Sequence, residues 1–218
     1  MVDTLFKHRE HAVGLRPWAE FNVDPGEYAL LTLHRPSNVD DEENFSRLST
    51  VINDISERLP IIFPVHPRTA KQISSSGISF NKKVLVCEPL SYLSFLGLMS
   101  KSLVVITDSG GIQEETTALG VPCLTLRANT ERPSTIDMGT NRLIDPCGNG
   151  VHDALEEILT DKWQKGCLPP LWDGHAAGRL CEIIVDALKI PQAIRVGNLQ
   201  KKIQTFRRKD YYEGKLSA

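Results

Sequence analysis

Asp108-Ser109-Gly110-Gly111-Ile112-Gln113-Glu114-Glu115 follows the apolar run Leu103-Val104-Val105-Ile106-Thr107 and opens a helix expected to close at Gly120. A β-branched strand, a glycine turn and a helix N-terminus in that order make an anion site. The two glycines let the backbone approach a phosphate, and the first helical N–H groups have no partner within the helix. Glu114 and Glu115 lie in the first turn, where a carboxylate suits the helix dipole. One of them is placed to accept hydrogen bonds from sugar hydroxyls. The chemistry this suggests is the binding of a nucleotide-sugar.

Two further apolar runs end in polar groups, at His34-Arg35-Pro36-Ser37-Asn38 and at His66-Pro67-Arg68. A histidine beside a departing phosphate can donate a proton or stabilise developing charge. For His34 that role stands level with a structural one. Arg35 adds a second phosphate-compatible cation, and Pro36 fixes the exit of the loop. His66 reads more readily as a structural residue orienting a neighbouring loop.

In Glu88-Pro89-Leu90-Ser91-Tyr92-Leu93-Ser94-Phe95, a helix capped at Ser91 with Leu93 and Phe95 facing the core carries more weight than the alternative. That alternative is a base-binding edge, with the peptide group of Leu90 pairing with uracil under an aromatic ring. In Arg127-Ala128-Asn129-Thr130-Glu131-Arg132-Pro133, Arg132 either holds a diphosphate or pairs with Glu131 on the surface. Both readings stay open.

The elements that position these groups form an alternating series. Tyr28–Leu33, Ile61–Val65, Val84–Cys87, Leu103–Thr107 and Pro122–Leu126 are short apolar runs, and Arg142–Ile144 is a weaker one. Helical spacing appears at Phe45, Leu48, Val51, Ile52, Ile55 and Leu59, stopped by Pro60. Helices are also expected over about 92–99, 112–119, 151–161 and 175–188. Strands that are apolar throughout indicate a parallel sheet covered on both faces. The fold class is therefore α/β, a Rossmann-like domain with right-handed crossovers, whose polar strand tips share one rim. The domain boundaries read as a helical lead-in and loop over 1–27, the Rossmann-like domain over 28–188, and a basic tail over 189–218.

Composition excludes several classes. The 218 residues are 41% hydrophobic, and 25 Lys plus Arg stand against 27 Asp plus Glu. Nothing there argues for nucleic-acid or membrane attraction, and the tail reads as a terminus without a nucleic-acid motif. The five cysteines are scattered with no CxxC, so no zinc knuckle or redox pair is supported. Cys87 and Cys123 fall in strands as small core residues. No apolar stretch approaches the ~20 residues that span a bilayer, and the start shows no signal-peptide segment. A reducing cytoplasm is the expected compartment.

Leu33 through Asp40, Pro64 through Arg68, Thr107 through Glu115, and Thr130 through Pro133 occur in an order and spacing that resemble the non-hydrolysing UDP-N-acetylglucosamine 2-epimerases. Asp173-Gly174-His175-Ala176 before a helix is similar to that family's closing segment. The resemblance implies the C-terminal half of a GT-B two-domain fold, with substrate between the halves and the proton-moving carboxylates on the first domain. It implies that Ser109, Gly110 and Gly111 hold the UDP diphosphate, and that Glu115 accepts from the ribose hydroxyls. Leu90, through its backbone, and Phe95 would contact uracil, although the family commonly has a polar side chain at the position of Leu90. Arg132 would lie near the phosphates, and His34 beside the sugar and leaving group.

The family interconverts UDP-GlcNAc and UDP-ManNAc by eliminating UDP to a glycal and adding it back. The resemblance implies no redox cofactor and no metal. It implies UDP-GlcNAc or UDP as ligand, a first domain or partner chain, and a homodimer for the full-length family. A half lacking its other domain would expose an apolar face and self-associate. The alternative is the nucleotide-binding half of a GT-B glycosyltransferase, or a UDP-binding module without catalysis.

Overall fold

Apolar runs of four residues with no polar interruption can be buried only if both of their faces are covered. A computed structural model, which describes residues 1–145 and 150–188, shows how that is done. Strands β1 (Ala29–Thr32), β2 (Ile61–Pro64), β3 (Val84–Cys87), β4 (Val104–Thr107), β5 (Cys123–Leu126) and β6 (Asn141–Ile144) form one sheet. Their spatial order is β3-β2-β1-β4-β5-β6, and every pairing is parallel. The chain order reverses between β1 and β4, which run in register from Ala29↔Val104 to Thr32↔Thr107. Ligands of open α/β sheets bind beyond the carboxyl ends of the strands at such a reversal.

Successive residues of each strand feed two separate cores. Leu31, Phe63 and Ile106 point into one, with Phe45, Leu48, Ile52 and Ile55 of helix α3 (Glu42–Arg58). Leu30, Ile62 and Val105 point into the other, with Leu5 and Ala12 of α1 (Val2–Gly14) and Leu96 and Met99 of α5 (Tyr92–Lys101). Each of the larger of these side chains, fully buried, contributes roughly 1.5–3 kcal/mol. Edge strand β3 departs from the expectation of uniform burial. It has one neighbour, and its Val86 is 49% exposed.

The crossovers explain where each strand delivers its polar tip. Between β1 and α3 lies a single turn, α2 (Pro36–Val39), and Asp41 caps α3 by accepting from the Asn44 N–H at 2.9 Å. After β2 comes α4 (Pro67–Ser76), begun by His66, whose Nδ1 accepts from the Arg68 N–H at 3.2 Å. Ser91 caps α5 through the Ser94 N–H, also at 3.2 Å. Helix α6 (Gly110–Leu119) follows β4 and closes at Gly120 with φ +72°, a left-handed stop that glycine adopts without strain. A short α7 (Ser134–Asp137) precedes β6, and α8 (Gly150–Leu159) follows it.

Three of these helices depart from the sequence reading. Helix α4 carries Ala70 and Ile73 as its apolar residues and ends in three serines, too little periodicity to signal a helix. Helices α2 and α7 are single turns, too short for any period.

The lead-in packs as part of the body. Helix α1 lies against α5 at Gly97, where a Cβ would stand 2.5 Å from the Ala12 carbonyl oxygen. The chain divides into one compact unit over Met1–Gly174 and a second from His175 onward. The last helix, α9 (Ala176–Ala187), belongs to the second unit. The basic tail over 189–218 lies outside the described residues.

Candidate nucleotide site at the sheet reversal

The two loops that straddle the reversal are tied together by one carboxylate. Asp108, fully buried just beyond β4, accepts from the backbone N–H of His34 at 3.0 Å and of Arg35 at 2.9 Å. It also accepts from Asn38 Nδ2 at 3.3 Å, and its Oδ1 lies 2.9 Å from His34 Nδ1. Four donors from the β1 loop converge on this one side chain. The Arg35 Nε–H donates to the Asp108 carbonyl at 3.0 Å, and Asn38 Nδ2 reaches the Leu126 carbonyl at 3.1 Å. Sequence reading placed Asp108 in the motif and gave it no role. With Nδ1–H donated to Asp108, His34 is oriented so that Nε2 is its remaining nitrogen, on a side chain 45% exposed.

Beside this pair lies the glycine turn. Ser109 precedes α6 without a side-chain cap, and its own N–H donates to Thr107 Oγ1 at 3.0 Å. The Ser109 amide is thus engaged within the protein. Thr107 Oγ1 is in turn 2.7 Å from Thr32 Oγ1, a bridge that joins the ends of β1 and β4. Gly110 and Gly111 are the first two positions of α6, where backbone N–H groups find no partner inside a helix. Ser109, at the start of α6, and His34 line one cavity.

Two cavities flank the turn. One of about 260 Å³ is lined by His34, His66, Leu90, Phe95 and Ser109, together with Pro64 and Ile112. His66 therefore borders the site while capping α4. The other, of about 550 Å³, is lined by Arg35, Asn38, Arg127 and Asn129 together with Leu126 and Leu143. The residues expected from sequence to contact a base and those expected to hold phosphates are thus brought to one rim.

Glu115 is buried, and Tyr92 of α5 donates its hydroxyl to Glu115 Oε1 at 3.3 Å. Burial raises the Glu115 pKa, while the Tyr92 hydrogen bond opposes the rise. Desolvation, with help from the Glu115 charge, pushes the Tyr92 hydroxyl up to about 12.

The two arginines of this loop take separate partners. Arg132 does not pair with Glu131. Its Nε–H donates to the Gly110 carbonyl at 3.0 Å and lies 3.4 Å from Glu114 Oε1. Glu131 instead takes Arg127 Nη2 at 2.9 Å, and that hydrogen bond holds its carboxyl down at about 2.

A buried amide network fixes the turn from behind, and sequence reading did not anticipate it. Gln113 Nε2 donates to the Ser109 carbonyl at 3.2 Å, and its Oε1 accepts from Thr130 Oγ1 at 2.6 Å and Asn141 Nδ2 at 3.1 Å. Asn141 also reaches Thr135, and its Oδ1 accepts from Thr125 at 2.6 Å. A buried polar network with its members satisfied holds one geometry. The signal available in the sequence was Gln113 itself, a polar residue one turn into a helix. Among the described residues no group of histidine, cysteine and carboxylate side chains is placed to hold a metal ion.

A parallel sheet with helices on both faces and a Rossmann strand order define a Rossmann-like α/β domain. The comparisons with known proteins narrow this. A profile described as UDP-N-acetylglucosamine 2-epimerase matches residues 1–185, and the chain belongs to that family. It is 41% identical over 165 residues to UDP-N-acetylglucosamine 2-epimerase of Methanococcus maripaludis, covering 72% of this chain and 44% of the relative.

Among solved structures it is similar to the Methanocaldococcus jannaschii UDP-GlcNAc 2-epimerase in complex with UDP-GlcNAc and UDP. That match has a TM-score of 0.72 at 36% identity, over 84% of this chain and 52% of that one. The Neisseria meningitidis UDP-GlcNAc 2-epimerase bound to UDP-GlcNAc matches with a TM-score of 0.71 at 26% identity, over 85% and 53%. The chain thus spans about half the length of the relatives it matches. Among the described residues no helix is long and apolar enough to cross a membrane.

Proposed function

We propose that this chain is the nucleotide-binding half of a UDP-N-acetylglucosamine 2-epimerase, and that UDP-GlcNAc binds at the reversal between β1 and β4. The observation that carries the proposal is the His34–Asp108 pair held beside the Gly110 and Gly111 amides. In this reading the uracil enters the smaller cavity against Leu90 and Phe95. The ribose hydroxyls donate to Glu115, and the diphosphate lies on the two glycine amides with Arg35 and Arg132 nearby.

The reaction breaks the bond between the sugar C1 and the UDP oxygen while C2 loses its proton, which gives UDP and a glycal. Re-addition of UDP with protonation on the opposite face of C2 inverts that centre. The α6 N-terminus and its amides stabilise the charge that gathers on the departing UDP. Carrying a proton on each ring nitrogen, His34 donates Nε2–H to the same oxygen while buried Asp108 holds Nδ1–H. The C2 proton is moved by carboxylates of a first domain, so turnover requires that domain.

Mixing the chain with a separately produced first domain and UDP-GlcNAc, with UDP-ManNAc followed by NMR, tests the reading. His34→Ala is expected to slow turnover by about 10²–10⁴-fold while UDP affinity changes little. Unchanged turnover in that variant overturns the role of His34, and turnover by the chain alone overturns the need for the first domain. UDP binding without any epimerisation in the mixture would favour a transferase half.

A further inference from the structure

One cation beside the glycine turn has a hydrogen-bonding face with nothing on it. The Arg127 side chain is 9% exposed, and its Nη2 is engaged by Glu131 at 2.9 Å. Its Nη1 is buried and has no hydrogen-bond partner among the described residues. A buried guanidinium N–H left without an acceptor costs free energy, so its persistence asks for an occupant. Nη1 is aimed at the turn, standing 3.8 Å from where a Cβ on Gly110 would lie, and Glu131 Oε1 stands 2.5 Å from the same point. Arg132, by contrast, spends its Nε on the Gly110 carbonyl and on Glu114. Glu131 is 49% exposed, whereas the Arg127 side chain is 9% exposed.

We propose that Arg127 is an anion-binding residue of this site, and that the Glu131 carboxylate is a built-in stand-in that yields Arg127 to the diphosphate. The inference rests on the nucleotide reading above and adds to it the identity of the phosphate-facing cation. An arriving phosphate oxygen at the Gly110 amide meets a guanidinium fork whose second arm is already in position. Glu131 then turns to solvent. The carboxylate keeps the site electrically balanced when empty, and it competes with the ligand for the same donor.

Competition makes a signed prediction. Calorimetric titration of the full chain uses UDP, inorganic pyrophosphate and uridine as probes. Glu131→Gln removes the competing charge and is expected to tighten UDP and pyrophosphate at least twofold. Arg127→Gln is expected to weaken both about tenfold, the worth of one charge-assisted hydrogen bond. Arg127→Lys should fall between the two, because it keeps charge without the fork.

Uridine has no phosphate, so its affinity should be the same in every variant. A pair that merely braces the loop would weaken UDP in Glu131→Gln as well as in Arg127→Gln, and a weaker or unchanged Glu131→Gln overturns the proposal. Because Glu131 is half exposed, that variant decides even if Arg127→Gln fails to fold. Wild-type protein that binds uridine but neither UDP nor pyrophosphate overturns the diphosphate site and this inference together. Wild-type UDP binding with no tightening in Glu131→Gln overturns this inference alone.

Discussion

The starts of helices α5 and α6 lie on the same rim of the sheet and are built in opposite ways. At α5, Ser91 turns its hydroxyl to the Ser94 N–H and closes the helix end. At α6, Ser109 occupies the equivalent position, yet its side chain caps nothing, and glycines follow where α5 has Tyr92 and Leu93. Helices α3 and α4 are closed as α5 is, by Asp41 and by His66. A cap is worth ~1 kcal/mol. Leaving α6 without one gives up that stability and keeps its amides available to a ligand. In the proposed reading, this difference from α3, α4 and α5 is what leaves the start of α6 open to the ligand.

The most direct way to break the contrast is to cap α6. Ser109→Asp places a carboxylate on the amides of the first turn, where it suits the dipole. UDP affinity should fall by more than about tenfold, because the new charge both occupies the donors and repels the diphosphate. The same substitution should raise Tm by about 2–4 °C, a gain of ~1 kcal/mol in a chain of this size. Calorimetry and thermal melting on one sample check both signs. Loss of binding accompanied by loss of stability would mean that the serine supports the turn.

The converse change uncaps a helix that holds no ligand. Asp41→Ala should cost ~1 kcal/mol and lower Tm by about 2–4 °C while UDP affinity stays where it was. If UDP binding falls in step with stability, the rim behaves as one unit and the contrast loses its meaning.

The smallest effect concerns Tyr92, which starts the capped helix and reaches across to Glu115 of the open one. Burial already raises the Glu115 pKa above its ordinary 4.5, and the Tyr92 hydrogen bond holds part of that rise back. Across the interval above 4.5 the folded protein keeps a proton that the unfolded chain has released, so stability falls as pH rises through it. Tyr92→Phe raises the folded pKa further and widens that interval. Urea unfolding at pH 4.5 and at pH 7 should show a larger loss between the two in the variant than in wild type. The added loss is about 0.5–1.5 kcal/mol, one neutral hydrogen bond's worth or a little more.

The fold was legible because most of its strands are short apolar runs alternating with helices, the pattern of a parallel sheet covered on both faces. The rim was legible for the same reason, since parallel strands put all their following residues at one end. Helix α4 was not, because it is held by Thr69, whose hydroxyl donates to the Leu33 carbonyl at 2.7 Å, and by a short apolar strip, not by a periodic face. The site was legible where its residues are contiguous, as in the glycine turn.

The site was illegible where partners meet across the chain. For Arg132, sequence left open a pair with its neighbour Glu131 and a contact with a diphosphate. The loop curls so that Glu131 meets Arg127 four residues earlier, and Arg132 turns inward to Gly110. Asp108 gained its role only when the His34 loop, 74 residues away in sequence, came to rest on it.

The amide network behind the turn has a consequence for anyone wishing to move this site to another protein. Residues 108–115 look like a portable motif, but the hold on the Ser109 carbonyl comes from Gln113, which is itself pinned by Thr130 and by Asn141 of the edge strand β6. A graft of the eight residues onto a foreign Rossmann scaffold would carry the glycines without the side chains that aim them. The smallest transferable unit runs from Asp108 to Asn141, and it needs a host whose first strand can end in His34 and Asn38.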